Sequence, residues 1–251
     1  MAAAATRDVI VGIDAGTSVI KAVAFARNGR QLGDFAIPNS YTTAPGGRVE
    51  QDMERTWSDT VAALRGLGAA LPDLSRRVAA IAVTGQGDGT WLIDADGCPL
   101  APALLWLDSR AASLVETFRA GERNAAHYQR TGSGLNACQQ GPQLAWLQAH
   151  DADMLARAGT VFHCKDWLYF KLTGKAATDP SEACFSFGDF RSRAYSDSVI
   201  EFLDLGKVRH LLPEIVDGVR QHHALTDAAA ALTGLRAGTP VVLGYVDVAC
   251  T

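Results

Sequence analysis

Val9-Ile10-Val11-Gly12-Ile13-Asp14-Ala15-Gly16-Thr17-Ser18 is a short apolar strand that runs straight into a tight turn, and Val19-Ile20-Lys21-Ala22-Val23-Ala24-Phe25 leads back out of it. An acid, a glycine and two hydroxyls therefore sit at the tip of a β-hairpin. Gly16 lets the backbone approach an anion closely. The turn N–H groups and the Thr17 and Ser18 hydroxyls can donate to phosphate oxygens. Asp14 is a hard oxygen ligand suited to Mg²⁺, directly or through water. No helix follows the turn, so it is neither G-x-x-x-x-G-K-[ST] nor G-x-G-x-x-G. The same D-x-G-T pattern also closes ordinary hairpins, so on its own the turn reads equally as a phosphate cradle or as plain structure.

Outward from this turn, Val9–Asp14, Ile20–Ala26 and residues 31–37 read as three consecutive antiparallel strands, with Asn28-Gly29 as the hairpin signal between the second and third. Asp52 caps a helix whose Met53, Trp57, Val61, Leu64 and Leu67 recur at helical spacing. Val78–Val83 is short and wholly apolar, as for a central strand covered on both faces. Residues 90–93 and 103–106 read as further strands around an Asp96-Gly97 turn. The middle is mostly helical, over residues 109–121, 141–149, 151–158, 165–172 and 196–204, and 241–245 is a last strand. A meander, a helix and then a buried strand define an α/β class.

With 251 residues, 48% hydrophobic and 20% charged, the chain can bury a substantial core. Net charge is −4, with no basic stripe for nucleic acid or for an anionic membrane surface. No apolar run approaches a membrane span, and Met1–Asp8 lacks the basic and apolar regions of a signal peptide. The five cysteines are scattered and never form C-x-x-C, which suits reduced thiols and a cytoplasmic setting.

Four further clusters carry chemistry. Thr84-Gly85-Gln86-Gly87-Asp88-Gly89 follows the buried strand, at the carboxyl end where open α/β sheets bind ligands. Asp88 can accept from two hydroxyls and Gln86 adds a donor and an acceptor, chemistry for a polyhydroxy substrate; the alternative is a plain glycine-rich turn. In Leu105-Trp106-Leu107-Asp108-Ser109-Arg110, Trp106 can stack on the C–H face of a sugar or polyol, while Asp108 reads equally as a helix N-cap. In His163-Cys164-Lys165-Asp166-Trp167, Lys165 is a candidate contact for an anionic or hydroxylated ligand, and His163 reads as structural rather than as a general base. Gly244-Tyr245-Val246-Asp247 ends the last strand with a carboxylate able to take a proton from a hydroxyl nucleophile, or with an unremarkable strand-end acid.

Taken in order, these elements resemble the amino-terminal domain of the FGGY carbohydrate kinases over essentially the whole chain. Ile13–Ser18 is similar to that family's first phosphate motif, Glu50-Gln51-Asp52 with Trp57 to its E-Q-D/N-P…W segment, and Thr84–Gly89 falls where it has G-Q-x-x-G. Leu105–Arg110 resembles W-x-D-x-R. Thr131-Gly132 with Gln143 and Trp146 resembles T-G…K-x-x-W. Lys165–Leu168 and Leu172-Thr173-Gly174 resemble K-D-W/Y-L…L-T-G, and Gly244–Asp247 resembles G-x-x-D. The resemblance implies a ribonuclease H-like, actin-like ATPase fold, a mixed sheet flanked by helices, spanning 1–251. It implies ATP and Mg²⁺ as co-substrate and metal. By position, Asp14 would organise the metal, and Gly16, Thr17 and Ser18 would face the nucleotide phosphates. Gln86, Asp88, Trp106, Cys138 and Lys165 would contact a small polyol or sugar, and Asp247 would be the catalytic base. Asp88 stands where xylulose kinases tend to have histidine and glycerol kinases glutamate, and Cys138 where glycerol kinases have a substrate-facing tyrosine. Thr84–Trp91, Gly134–Gly141 and Gly244–Val248 most resemble the erythritol-directed members, which implies a C4 polyol.

The same resemblance implies a carboxy-terminal nucleotide domain that this chain does not carry, so the piece alone is expected to turn over ATP poorly. A homodimer is compatible with it. The competing readings are a xylulose- or ribulose-type ketose kinase, a non-catalytic sugar-binding regulatory module, and an actin- or chaperone-like ATPase. Asp14 and Asp247 argue against the second; Gln86, Asp88 and Trp106 argue against the third.

Overall fold

The computed structural model describes residues 7–250; the leader reading of Met1–Thr6 and the terminal Thr251 lie outside the described residues. Strands β1 (Val9–Ala15), β2 (Val19–Ala26) and β3 (Gln31–Pro38) form the expected antiparallel meander. They continue into a six-stranded sheet with β4 (Val78–Gly85), β5 (His223–Ala224) and β6 (Pro240–Leu243), in the order β5-β6-β4-β1-β2-β3. The three inner strands β6, β4 and β1 are parallel, their neighbours β5 and β2 run antiparallel to them, and β3 pairs antiparallel with β2. The α/β class and the mixed sheet are as expected.

Period-2 alternation decides which face is covered. Val9, Val11, Ile13 and Ala15 of β1, Ile20, Ala22 and Ala24 of β2, and Ile81 and Val83 of β4 are buried. They pack beneath α1 (Met53–Ala70), α3 (Cys164–Thr173) and α5 (Asp227–Thr233). Asp52 caps α1 as expected, its carboxylate accepting from the Arg55 N–H at 2.9 Å. The intervening residues are less covered: Ile10, Asp14 and Lys21 are exposed, and Ala80 and Ala82 of β4 are half-buried. The central strand is therefore closed on one face only. Its other face carries alanines, which a simple count of apolar residues cannot separate from a doubly covered strand.

A second core lies beyond the carboxyl ends of the parallel strands. Leu92, Leu104, Val115, Leu135, Leu144, Leu147, Phe187, Ile200 and Leu203 assemble there around α2 (Gln140–His150) and α4 (Pro180–Ser186). The pairing of residues 91–93 with 160–162 ties this helical region to the main core. Among the described residues, no helix is long and apolar enough to cross a membrane.

Candidate active site

The carboxyl ends of β1, β4 and β6 meet the helical region at a cavity of about 320 Å³. Thr17, from the turn after β1, lines it. So do Gln86, Gly87 and Asp88 after β4, Val246, Asp247 and Val248 after β6, Trp106, and a helical-side wall of Ser133, Asn136, Gln139, Glu182 and Phe185. The topology explains this convergence, because parallel neighbours deliver their following loops to one edge of the sheet.

The β1 turn is locked to its neighbour strand. The Gln86 N–H donates to Ala15 O at 3.0 Å, and a Cβ at Gly85 would come within 2.9 Å of that same carbonyl. A side-chain relay continues from it. The Trp106 indole N–H donates to Thr17 Oγ1 at 2.8 Å, Thr17 donates to Gln86 Oε1 at 3.0 Å, and Gln86 Nε2 donates to Gln51 Oε1 at 2.7 Å. In this arrangement the Thr17 proton points to Gln86, while Ser18 is the exposed hydroxyl of the turn. Gln86 lines the cavity, and its carboxamide bonds to Thr17 and Gln51. The relay holds Trp106, which is 45% exposed.

Asp88 adopts a left-handed backbone (φ 54°), the conformation that turns its carboxylate back towards the cavity. Its Oδ2 accepts from Cys138 Sγ at 3.4 Å. Burial raises the Asp88 carboxyl above its usual range, against the opposing pull of His163. Burial and the Asp88 charge push the Cys138 thiol up to about 12, so Cys138 stays protonated as a donor that holds Asp88 from behind. Cys138 is not among the lining residues of the cavity.

Lys165 does not reach the cavity either. It is 0% exposed and sits between Asp166 Oδ1 at 2.7 Å and Asp179 Oδ1 at 2.6 Å. The sequence places a lysine near the site, but a buried ammonium must be paired and these two carboxylates pair it. Two arms run from this pair to the cavity. In one, Asp179 Oδ2 accepts from the Ser181 hydroxyl at 2.6 Å, and Ser181 Oγ accepts from the Val246 N–H at 3.0 Å, one residue before Asp247. In the other, His163 Nδ1 meets Asp166 Oδ2 at 3.1 Å and its Nε2 lies 3.6 Å from Glu182 Oε2. His163 is structural, as read. Asp108 is neither cap nor ligand: it is buried, accepting from the Val49 N–H at 2.7 Å and pairing with Arg110.

Asp247 opens a short 3-10 turn, Asp247–Ala249. Asp14 stands at the exposed rim of the sheet, and its carboxyl is raised, first by the protein packed around it and then by the Asp247 charge. Two carboxylates thus share one field. No cluster of three metal-ligating side chains occurs among the described residues. That suits Mg²⁺, which is commonly held by one or two carboxylates together with substrate phosphates and water, and does not suit a protein-caged metal.

Glu182 escaped the sequence reading, as did Ser133, Asn136 and Gln139. It is the third residue of α4, after the N-cap Asp179, where D-x-x-E reads as an ordinary capping box. The signal that could have found it is an acid on a turn otherwise occupied by Pro180, Ala183, Cys184 and Phe185.

A ligand cavity at the carboxyl edge of a mixed sheet, lined by acids and an exposed indole, defines a small-molecule-binding α/β domain. Comparison with known families narrows this: the model of the FGGY family of carbohydrate kinases, N-terminal domain, matches residues 9–251, and the chain belongs to that family. It is 57% identical over 97% of its length to an erythritol kinase of Brucella abortus (strain 2308), covering 47% of that protein. It is 30% identical over 96% of its length to an L-xylulose/3-keto-L-gulonate kinase of Escherichia coli (strain K12), covering 49% of it. The crystal structure of a xylulose kinase from Rhodospirillum rubrum superposes with a TM-score of 0.88 at 26% identity, over 95% of this chain and 50% of that one. The fold is thus the actin-like one that the family resemblance implied, and the chain spans about half the length of the relatives it matches.

Proposed function

We propose that this chain forms the substrate wall of an ATP-dependent kinase that phosphorylates a terminal hydroxyl of a small polyol, erythritol in the first instance. The observation that carries the reading is the shared cavity: Asp247, the candidate base, lines the same space as Asp88 and Trp106. In this mechanism the polyol carbon chain lies against Trp106 and its inner hydroxyls donate to Asp88. Asp247 takes the proton of the terminal hydroxyl as that oxygen attacks the γ-phosphorus of ATP and ADP leaves in line. Mg²⁺ near Asp14 would neutralise charge on the phosphates.

The three carboxylates of the lining suit a polyol; Asn136 Nδ2, with one long bond to Gly134 O at 3.4 Å, is the remaining side-chain amide donor. Asp88, Glu182 and Asp247 accept hydrogen bonds when ionised, whereas the Gln139 amide already donates to Ser133 Oγ and Gly134 O, and the Trp106 N–H to Thr17. A polyol presents only hydroxyls, each a donor, while a ketose carbonyl needs a donor from the protein. Charge stabilisation on the nucleotide side needs a second wall. We place it in the portion of the relatives that this chain does not span, so the chain alone should release ADP poorly.

Calorimetric titration with erythritol, xylitol, glycerol, D-xylulose and L-ribulose tests the reading. Erythritol should bind. Asp88→Ala should weaken it by about 1.5–3 kcal/mol, whereas Asp247→Ala should largely keep affinity and abolish turnover in the longer protein. Failure of every polyol to bind, or binding of ketoses alone, would overturn it.

A further inference from the structure

One carboxylate of the cavity has no assigned work. Glu182 is 1% exposed, yet it lines the space between Asp88 and Asp247. Its Oε2 receives a long bond from the Asp88 N–H, at 3.4 Å, and lies 3.6 Å from His163 Nε2. Its Oε1 has no hydrogen-bond partner among the described residues. That oxygen is directed at Gly87, also on the cavity wall: a Cβ there would come 3.2 Å from Oε1 and would run into Val246 Cγ2. An unpaired buried carboxylate oxygen is costly to the fold on its own, so its survival at the floor of a ligand cavity calls for a donor from outside.

We propose that Glu182 is a substrate-contacting residue whose Oε1 accepts a hydrogen bond from an inner hydroxyl of the polyol, beside the hydroxyl held by Asp88. The inference rests on the polyol-kinase reading and deepens it by adding a specificity determinant. Two carboxylates on one wall select a ligand with adjacent hydroxyl donors. They disfavour a ligand that offers a carbonyl or an anionic group at either point, because acceptor would then face acceptor.

The electrostatics supply the means to detect the contact. Burial raises the Glu182 carboxyl to about 7, with Asp88 adding to the rise and His163 and Lys165 opposing it. The groups facing it are Asp88 from the loop after β4 and His163, Lys165 and Asp166 from the start of α3. A hydroxyl donor stabilises the ionised form, so ligand binding should lower the midpoint and affinity should rise as pH increases through about 7.

The test is calorimetric titration of erythritol into the 251-residue chain from about pH 6 to about pH 8, bracketing that midpoint. The wild type is compared with E182Q and E182A, with near-UV circular dichroism as the fold check. The wild type should bind more tightly at the upper end, and both variants should bind about ten- to a hundredfold more weakly there with a flat pH profile. E182Q keeps every facing group, so a pH step that survives in it belongs to His163 or Asp88 and overturns the proposal, as does affinity within about twofold of wild type. Carboxyl-carbon NMR of the wild type gives a reading independent of any variant: saturating erythritol should move the Glu182 midpoint down, and an unmoved midpoint refutes the contact. A wild type that binds no polyol at all would instead remove the functional reading beneath it.

Discussion

Replacing Lys165 by methionine tests the claim that this lysine organises the site from behind rather than touching a ligand. The side chain is completely buried, with carboxylates at 2.7 and 2.6 Å. Methionine matches most of its volume but leaves Asp166 and Asp179 as uncompensated buried acids. Burial alone works against the ionised Asp166, and Lys165 followed by His163 reverses this and brings it down to about 2. Losing one partner of such a pair costs about 3–5 kcal/mol. That is a large part of the roughly 5–15 kcal/mol that typically holds a domain folded. For a chain near this length each kcal/mol moves Tm by about 2–4 °C, so Tm should fall by roughly 6–20 °C. Thermal unfolding followed by circular dichroism measures it. Adding Asp166→Asn and Asp179→Asn should recover most of the loss, because the unpaired charges are then gone. A single variant melting within about 2 °C of wild type, below the shift from even 1 kcal/mol, would refute the assignment of a buried ion pair.

Two further outcomes follow from named geometry. The folded-state value of about 2 for Asp166 lies below its ordinary 3.8, so its contribution is present above pH 3.8 and is lost as pH falls towards about 2. Urea midpoints across that window should drop more steeply in the wild type than in Asp166→Asn, and parallel curves would contradict it. Gly87→Ala would press a methyl group against Val246 and towards Glu182 Oε1. It should cost about 1–3 kcal/mol in urea unfolding and weaken erythritol binding; unchanged values in both would show that the cavity floor yields freely.

The meander was legible because short apolar runs in residues 9–25 are punctuated by the turn at Gly16 and the hairpin signal Asn28-Gly29. The first helix was legible from one apolar stripe and an aspartate cap. Residues 42–44 and 48–51 escaped because they form a largely exposed pairing with polar side chains on both faces. The helix Asp227–Thr233 escaped although Thr226 and Gly234 bound it, because a run of four alanines has no amphipathic face to detect. In the site, Asp88, Trp106 and Asp247 could be found, since each ends a recognisable strand or turn. Lys165 was placed in the right neighbourhood, but its ammonium is taken by Asp166 and Asp179. Linear spacing brings a side chain near a site; it does not say whether another residue has already claimed its protons.

The relay through Ser181 has a direction. The Lys165 ammonium is ion-paired with Asp179, the Ser181 hydroxyl donates to Asp179, and the Val246 amide can only donate to Ser181. Every proton along this line points inward to one aspartate, and no hydroxyl rotation can reverse the sense. The backbone beside the candidate base is therefore moored to helices α3 and α4 by a one-way tether, in which Asp88, Cys138 and Trp106 take no part. The lettering of the substrate wall can be rewritten for another carbohydrate while the mooring of the base stays as it is, which separates what the domain recognises from where it would remove a proton.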